Sequence, residues 1–226
     1  MRVLNSPSAL GREVEKYLAQ HLDDRFTLAH QVRLRGRKTR VDAILVGPHG
    51  VMLLAYSNDQ VRVRCLGDTW YVWNPKVNDL VKVEQNPVKR LQADLAAMQS
   101  FLEAHQLGSV VPIEGAVLVP RSEVQVEFMD NAIPVLSAEG IQQLATALPG
   151  QHEMIEWRQA DQVLSGLGLA PLGKPWSQLP KTSPQVRAMR SRRGGLKRWQ
   201  IIFLVAIAVA DLLVLMGGLA VVLMMR

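Results

Sequence analysis

Between residues 33 and 40 the chain reads Arg33-Leu34-Arg35-Gly36-Arg37-Lys38-Thr39-Arg40, five bases in eight positions around one glycine. Arginine and lysine at this density neutralise phosphates and donate several N–H groups to their oxygens, so the segment reads as a phosphate-binding finger for nucleic acid. Arg62 and Arg64 could extend the same patch. The competing reading is a solvated hairpin tip, where like charges block edge-to-edge strand pairing. Trp70, Tyr71 and Trp73 offer rings that could stack on bases, although aromatics in a strand also serve cross-strand packing. Cys65 is the only cysteine. It cannot form an intramolecular disulfide, which suits a reducing compartment, and no histidine lies near it in sequence. A strand side chain is the expected role.

These residues need elements to hold them. Apolar residues at Leu10, Val14, Tyr17, Leu18 and Leu22 recur at helical spacing over 8–22, with Ser8 as the N-cap. Strand-like runs follow at 26–35, 40–46, 51–57, 61–66 and 70–73, with Gly47-Pro48-His49-Gly50 as a tight connection between two of them. A long amphipathic helix is expected over 84–105, then a strand at 113–119 and short strands near 124–128 and 133–136. Helices at 137–148 and 153–166 complete the pattern. The alternation predicts an α/β fold, a sheet with helices packed on it.

From Ile201 to Met225 the chain is apolar except for Asp211. The run exceeds the roughly 20 residues a helix needs to cross a bilayer, so 199–225 is expected to be a transmembrane helix with Trp199 at its boundary. Residues 1–170 carry 17 Lys+Arg against 19 Asp+Glu, whereas 171–200 hold eight bases and no acid. The net charge of +6 therefore belongs to the approach to the membrane. Six of those bases stand within about 15 residues of the span, a bias that predicts a single-pass protein of the cell membrane with its N-terminal domain in the cytoplasm. The same bases attract anionic headgroups. No signal peptide is expected at the N-terminus. Residues 170–198 read as a proline-rich, then basic, linker. Within the span, Asp211 is costly in lipid and calls for a partner. Gly217 and Gly218, with Ala206 and Ala210, provide small surfaces for helix packing, so a homo-oligomer through this helix is expected.

Gly11-Arg12-Glu13 in the first helix, then Val41-Asp42-Ala43-Ile44-Leu45-Val46-Gly47-Pro48 with Gly50-Val51, a strand bearing Trp70, and Asn86-Pro87-Val88 opening a helix with Asp94, together resemble the NERD (nuclease-related domain) family of the PD-(D/E)XK nuclease superfamily. The resemblance covers 8–125 inside a domain of 1–169. It implies a restriction-endonuclease-like mixed sheet flanked by helices. It also implies Mg²⁺-assisted phosphodiester hydrolysis, with Glu13 and Asp42 as metal ligands and a Glu-x-Lys on the next strand. That last position falls on Ala55-Tyr56-Ser57, which offers neither ligand nor cation. Asp59 could replace the acid if the strand stays regular, and Lys82 or Lys89 the base. The expectation is a catalytically degenerate domain that needs no cofactor and binds nucleic acid or a protein at the membrane face. The alternatives are a Mg²⁺-dependent nuclease with relocated residues and a tethered scaffold.

Overall fold

The computed structural model describes residues 1–59, 62–67, 69–121, 124–126 (backbone only) and 133–179. The expected transmembrane helix 199–225, with Asp211, Gly217 and Gly218, and the basic part of the linker lie outside the described residues. Among the described residues no helix is long and apolar enough to cross a membrane.

Strand β1 (Arg2–Leu4) leads into helix α1 (Ala9–His21), where Ser8 caps the first turn by accepting from the Gly11 N–H at 3.0 Å. Next come β2 (Thr27–Val32), β3 (Val41–Gly47) and β4 (Gly50–Tyr56), an antiparallel meander. The β3–β4 turn closes at Gly50, whose φ of +118° no L side chain adopts readily and whose absent Cβ would sit 2.5 Å from the Pro112 carbonyl oxygen. After β5 (Val63–Leu66), β6 (Thr69–Asn74) and β7 (Asp79–Lys82), helix α2 (Pro87–Ala104) returns the chain to β8 (Ile113–Val119). The remaining elements are β9 (Val124–Val126), β10 (Val135–Ser137), α3 (Ala138–Ala147) and α4 (Trp157–Gly166).

Two sheets result: a mixed six-stranded one in the order β1-β2-β3-β4-β8-β10, and a four-stranded one in the order β7-β6-β5-β9. β8 runs parallel to β4, a pairing that requires a long crossover, supplied here by the second sheet and α2. Every residue of β4 is buried, because both faces of the large sheet are covered. On one face α1 and α3 pack Val14, Leu18 and Ile141 against Leu45 and Leu54. On the other, α2, α4 and the second sheet bring Leu91, Val163 and Trp70 to Ala55 and Leu53. The predicted α/β class holds: a mixed sheet flanked by helices.

Several boundaries differ from expectation for local reasons. α2 starts at Pro87, not 84, because the Asn86 side chain accepts from the Val88 and Lys89 N–H groups and Pro87 occupies the first turn. α4 starts at Trp157, not 153, because the N–H groups of Met154 and Ile155 donate to the Pro48 carbonyl instead of entering a helix. β1 and β7 were not anticipated. Three residues are too few to show a period, and β7 is an edge strand with little apolar content to alternate.

Candidate functional site

The register that pairs Ala43 with Leu54 puts Asp42 across from Ala55. Asp42 and Ala55 are thus neighbours on adjacent strands. Ala55 is buried in the core beneath the second sheet and supplies no ligand. Asp42 is held from two sides: its Oδ2 accepts from the Tyr56 backbone N–H at 2.8 Å and from the Arg90 guanidinium. The same Arg90 nitrogen reaches the Tyr56 carbonyl at 3.3 Å. Arg90 arrives there because the Asn86 cap fixes the first turn of α2, and its neighbours Pro87, Leu91 and Asp94 form the helix's buried stripe. Burial pushes the Asp42 carboxyl above its ordinary range, against the opposing pull of the Tyr56 N–H and the Arg90 charge.

Of the groups considered as replacements from sequence, Asp59 takes other partners. Ser57 donates its hydroxyl to Asp59, and Asp59 also accepts from the Trp70 indole N–H at 3.0 Å. Asp59 thus ties the end of β4 to the second sheet. Lys82 and Lys89 are both exposed. Beside Arg90 lies a cleft of about 800 Å³ whose polar lining includes Ser57, Asp59, Glu84 and Asn86.

Glu13 faces a different cation. Its carboxylate takes the Arg121 guanidinium in a fork, with Nε donating at 2.7 Å, and those hydrogen bonds hold its pKa below the usual carboxylate value. Each of the two acids is thus neutralised by its own arginine. A Mg²⁺ ion takes near-octahedral oxygen coordination, with carboxylates open to it. The residues present do not fit that ion: Ala55 offers no oxygen, and Asp42 and Glu13 already hold guanidinium groups. Among the described residues no group of three or more His, Cys, Asp or Glu side chains is placed to hold a metal.

The basic segment 33–40 is the loop between β2 and β3. Leu34 is buried, Gly36 adopts φ +82°, and the Arg37 N–H donates to the Leu34 carbonyl, which folds the loop back on itself. Arg37 does not join a finger in solvent. Its Nε donates at 2.7 Å to the buried Asp94 on α2. Arg33, Arg35, Lys38 and Arg40 are exposed. Sequence reading missed Arg90 and Arg121. For Arg90 a signal existed, since it borders the inward stripe of α2 next to Asp94. Arg121, in a turn after β8, carried none.

Residues 8–120 match the family model of NERD, the nuclease-related domain. No match is found among the curated proteins or the solved structures. The matched span opens at the Ser8 cap, contains Glu13, Asp42, Ala55 and Arg90, and closes just past β8. On that match, the chain belongs to the NERD family of nuclease-related domains.

Proposed function

We propose that this nuclease-related domain, of the restriction-endonuclease-like kind, is a catalytically degenerate member that binds nucleic acid without cutting it, at the cytoplasmic face of the membrane. The observation that carries the reading is the Arg90 guanidinium seated on Asp42 across from Ala55. A hydrolytic site of this type needs a cation that can bind water and lower its pKa. An arginine side chain supplies positive charge but activates no water. Binding then rests on the exposed bases Arg33, Arg35, Lys38 and Arg40. The apolar run 201–225 and the bases before it support a single-pass anchor with self-association through Asp211, Gly217 and Gly218.

The test is incubation of the full chain, in mild detergent, with supercoiled plasmid, single-stranded DNA and RNA, with Mg²⁺, with Mn²⁺ and with neither. The expected result is retarded migration without metal-dependent cleavage, and weaker retardation when Arg33, Arg35, Lys38 and Arg40 are changed to alanine. Cleavage that requires metal and disappears in Asp42→Ala would overturn the reading. Unretarded migration of every probe would favour the tethered scaffold.

A further inference from the structure

Residues of β6 alternate sides. Trp70 and Val72 turn toward the core, where Trp70 is 1% exposed. Tyr71 and Trp73 therefore occupy the opposite face of the small sheet, and both are half-buried. Pairing fixes their neighbours. Arg64 on β5 stands across from Tyr71, and Lys82 on β7 flanks Tyr71 from the other side. In the next row Leu80 stands across from Trp73, and the Arg62 guanidinium lies 6.0 Å from the Trp73 ring centroid. The outer face thus carries two aromatic rings set among three bases. The acid of β7, Asp79, pairs with Asn74 and belongs to the other face. Among the described side chains of β5, β6 and β7, the outer face holds no acid.

Trp70 is the ring of this strand that packs in the core. Directly across from Tyr71 stand two cations, Arg64 and Lys82. Two planar rings on one strand stand about 7 Å apart, a spacing that lets successive unstacked bases lie on them while flanking bases meet the phosphates. Exposed base faces belong to single strands; within a duplex they are stacked on each other. We infer that the outer face of the β5–β6–β7 sheet is a stacking platform for single-stranded nucleic acid, with Trp73 and Tyr71 as the rings and the exposed Arg62 and Lys82 as the phosphate contacts. The inference rests on the nucleic-acid reading above, but it names a surface separate from the 33–40 loop and a strandedness that the loop does not select.

The experiment uses the full chain in phosphatidylcholine nanodiscs. Fluorescence anisotropy measures its affinity for a labelled oligothymidylate and for a duplex of the same length. The single strand binds more tightly. Trp73→Ala and Tyr71→Ala each weaken single-strand binding about tenfold and leave the duplex affinity unchanged, whereas Trp73→Phe and Tyr71→Phe keep most of it. The exposed-site variant Arg62→Ala/Lys82→Ala, which removes no packed ring, lowers the salt dependence of single-strand binding by about two ions. Unchanged single-strand affinity in Trp73→Ala and in Arg62→Ala/Lys82→Ala overturns the platform while leaving the loop as the binding site. Equal losses in Trp73→Phe and Trp73→Ala overturn stacking. Binding of neither probe overturns this inference and the nucleic-acid reading together. A blue shift of tryptophan emission with phosphatidylserine in the disc, absent in Trp73→Phe and with no response to oligothymidylate, assigns the face to the membrane instead.

Discussion

Taking a carboxylate out of water costs free energy that a cation and hydrogen bonds must offset. Asp42 has an 18% exposed side chain and meets both conditions through Arg90 and the Tyr56 N–H. A residue that would be a metal ligand in a hydrolytic site is, in this chain, one half of an ion pair between β3 and α2. The pair makes a quantitative prediction. Arg90→Gln and Asp42→Asn should each lower stability by about 1–2 kcal/mol, and the double variant by little more than either alone. Chemical denaturation of the four proteins in mild detergent gives the coupling, and additive losses would show that the contact contributes nothing. Arg37 follows the same logic. Its charge answers the buried Asp94, so it contributes to the fold and not to the exposed basic surface of its neighbours.

The β3–β4 turn is an element whose behaviour depends on one buried imidazole. His49 stacks on Phe26 with ring centroids 5.8 Å apart, and neither ring nitrogen has a hydrogen-bond partner. Burial lowers its pKa from 6.5 to about 4. The unfolded chain takes up this proton near pH 6.5 and the folded chain only near 4, so stability is full above 6.5 and is lost as pH falls between the two values. The loss attributable to His49 is on the order of 3 kcal/mol. His49→Leu should flatten that part of the stability–pH curve, and an unaltered slope would reject the assignment. Other elements were legible to different degrees. α1, β3, β4 and β8 carry clear periods or continuous apolar runs, and their positions follow from sequence. β1 and β7 do not, because each is held by pairing on a single edge and buries little of its own surface.

At the scale of the molecule, the charge divides between a nearly balanced domain and a basic approach to the apolar run, 17 bases against 19 acids before residue 171 and eight bases without acids over 171–200. On the proposed reading, the positive balance serves membrane orientation. Deleting residues 199–226 should move the chain from the carbonate-washed membrane fraction to the supernatant without changing its nucleic-acid affinity. Retention of the shortened chain in the membrane fraction would refute the anchor. On the same reading, nucleic acid would meet the domain at local basic patches, the 33–40 loop and the outer face of the small sheet.

By itself the sequence determined the order of motifs, the α/β class and the partition of charge. These depend on residue identity and on periods of two or 3.6 within a few residues. Only the tertiary structure decided which cation meets which acid. Arg90 and Asp42 are 48 positions apart, Arg37 and Asp94 are 57, and Arg121 and Glu13 are 108. No local pattern encodes such partners, because packing of whole elements brings them within reach. The same holds for the separation of β5–β6–β7 into a second sheet, which sends Trp70 inward and leaves Tyr71 and Trp73 among arginines and a lysine on the other side.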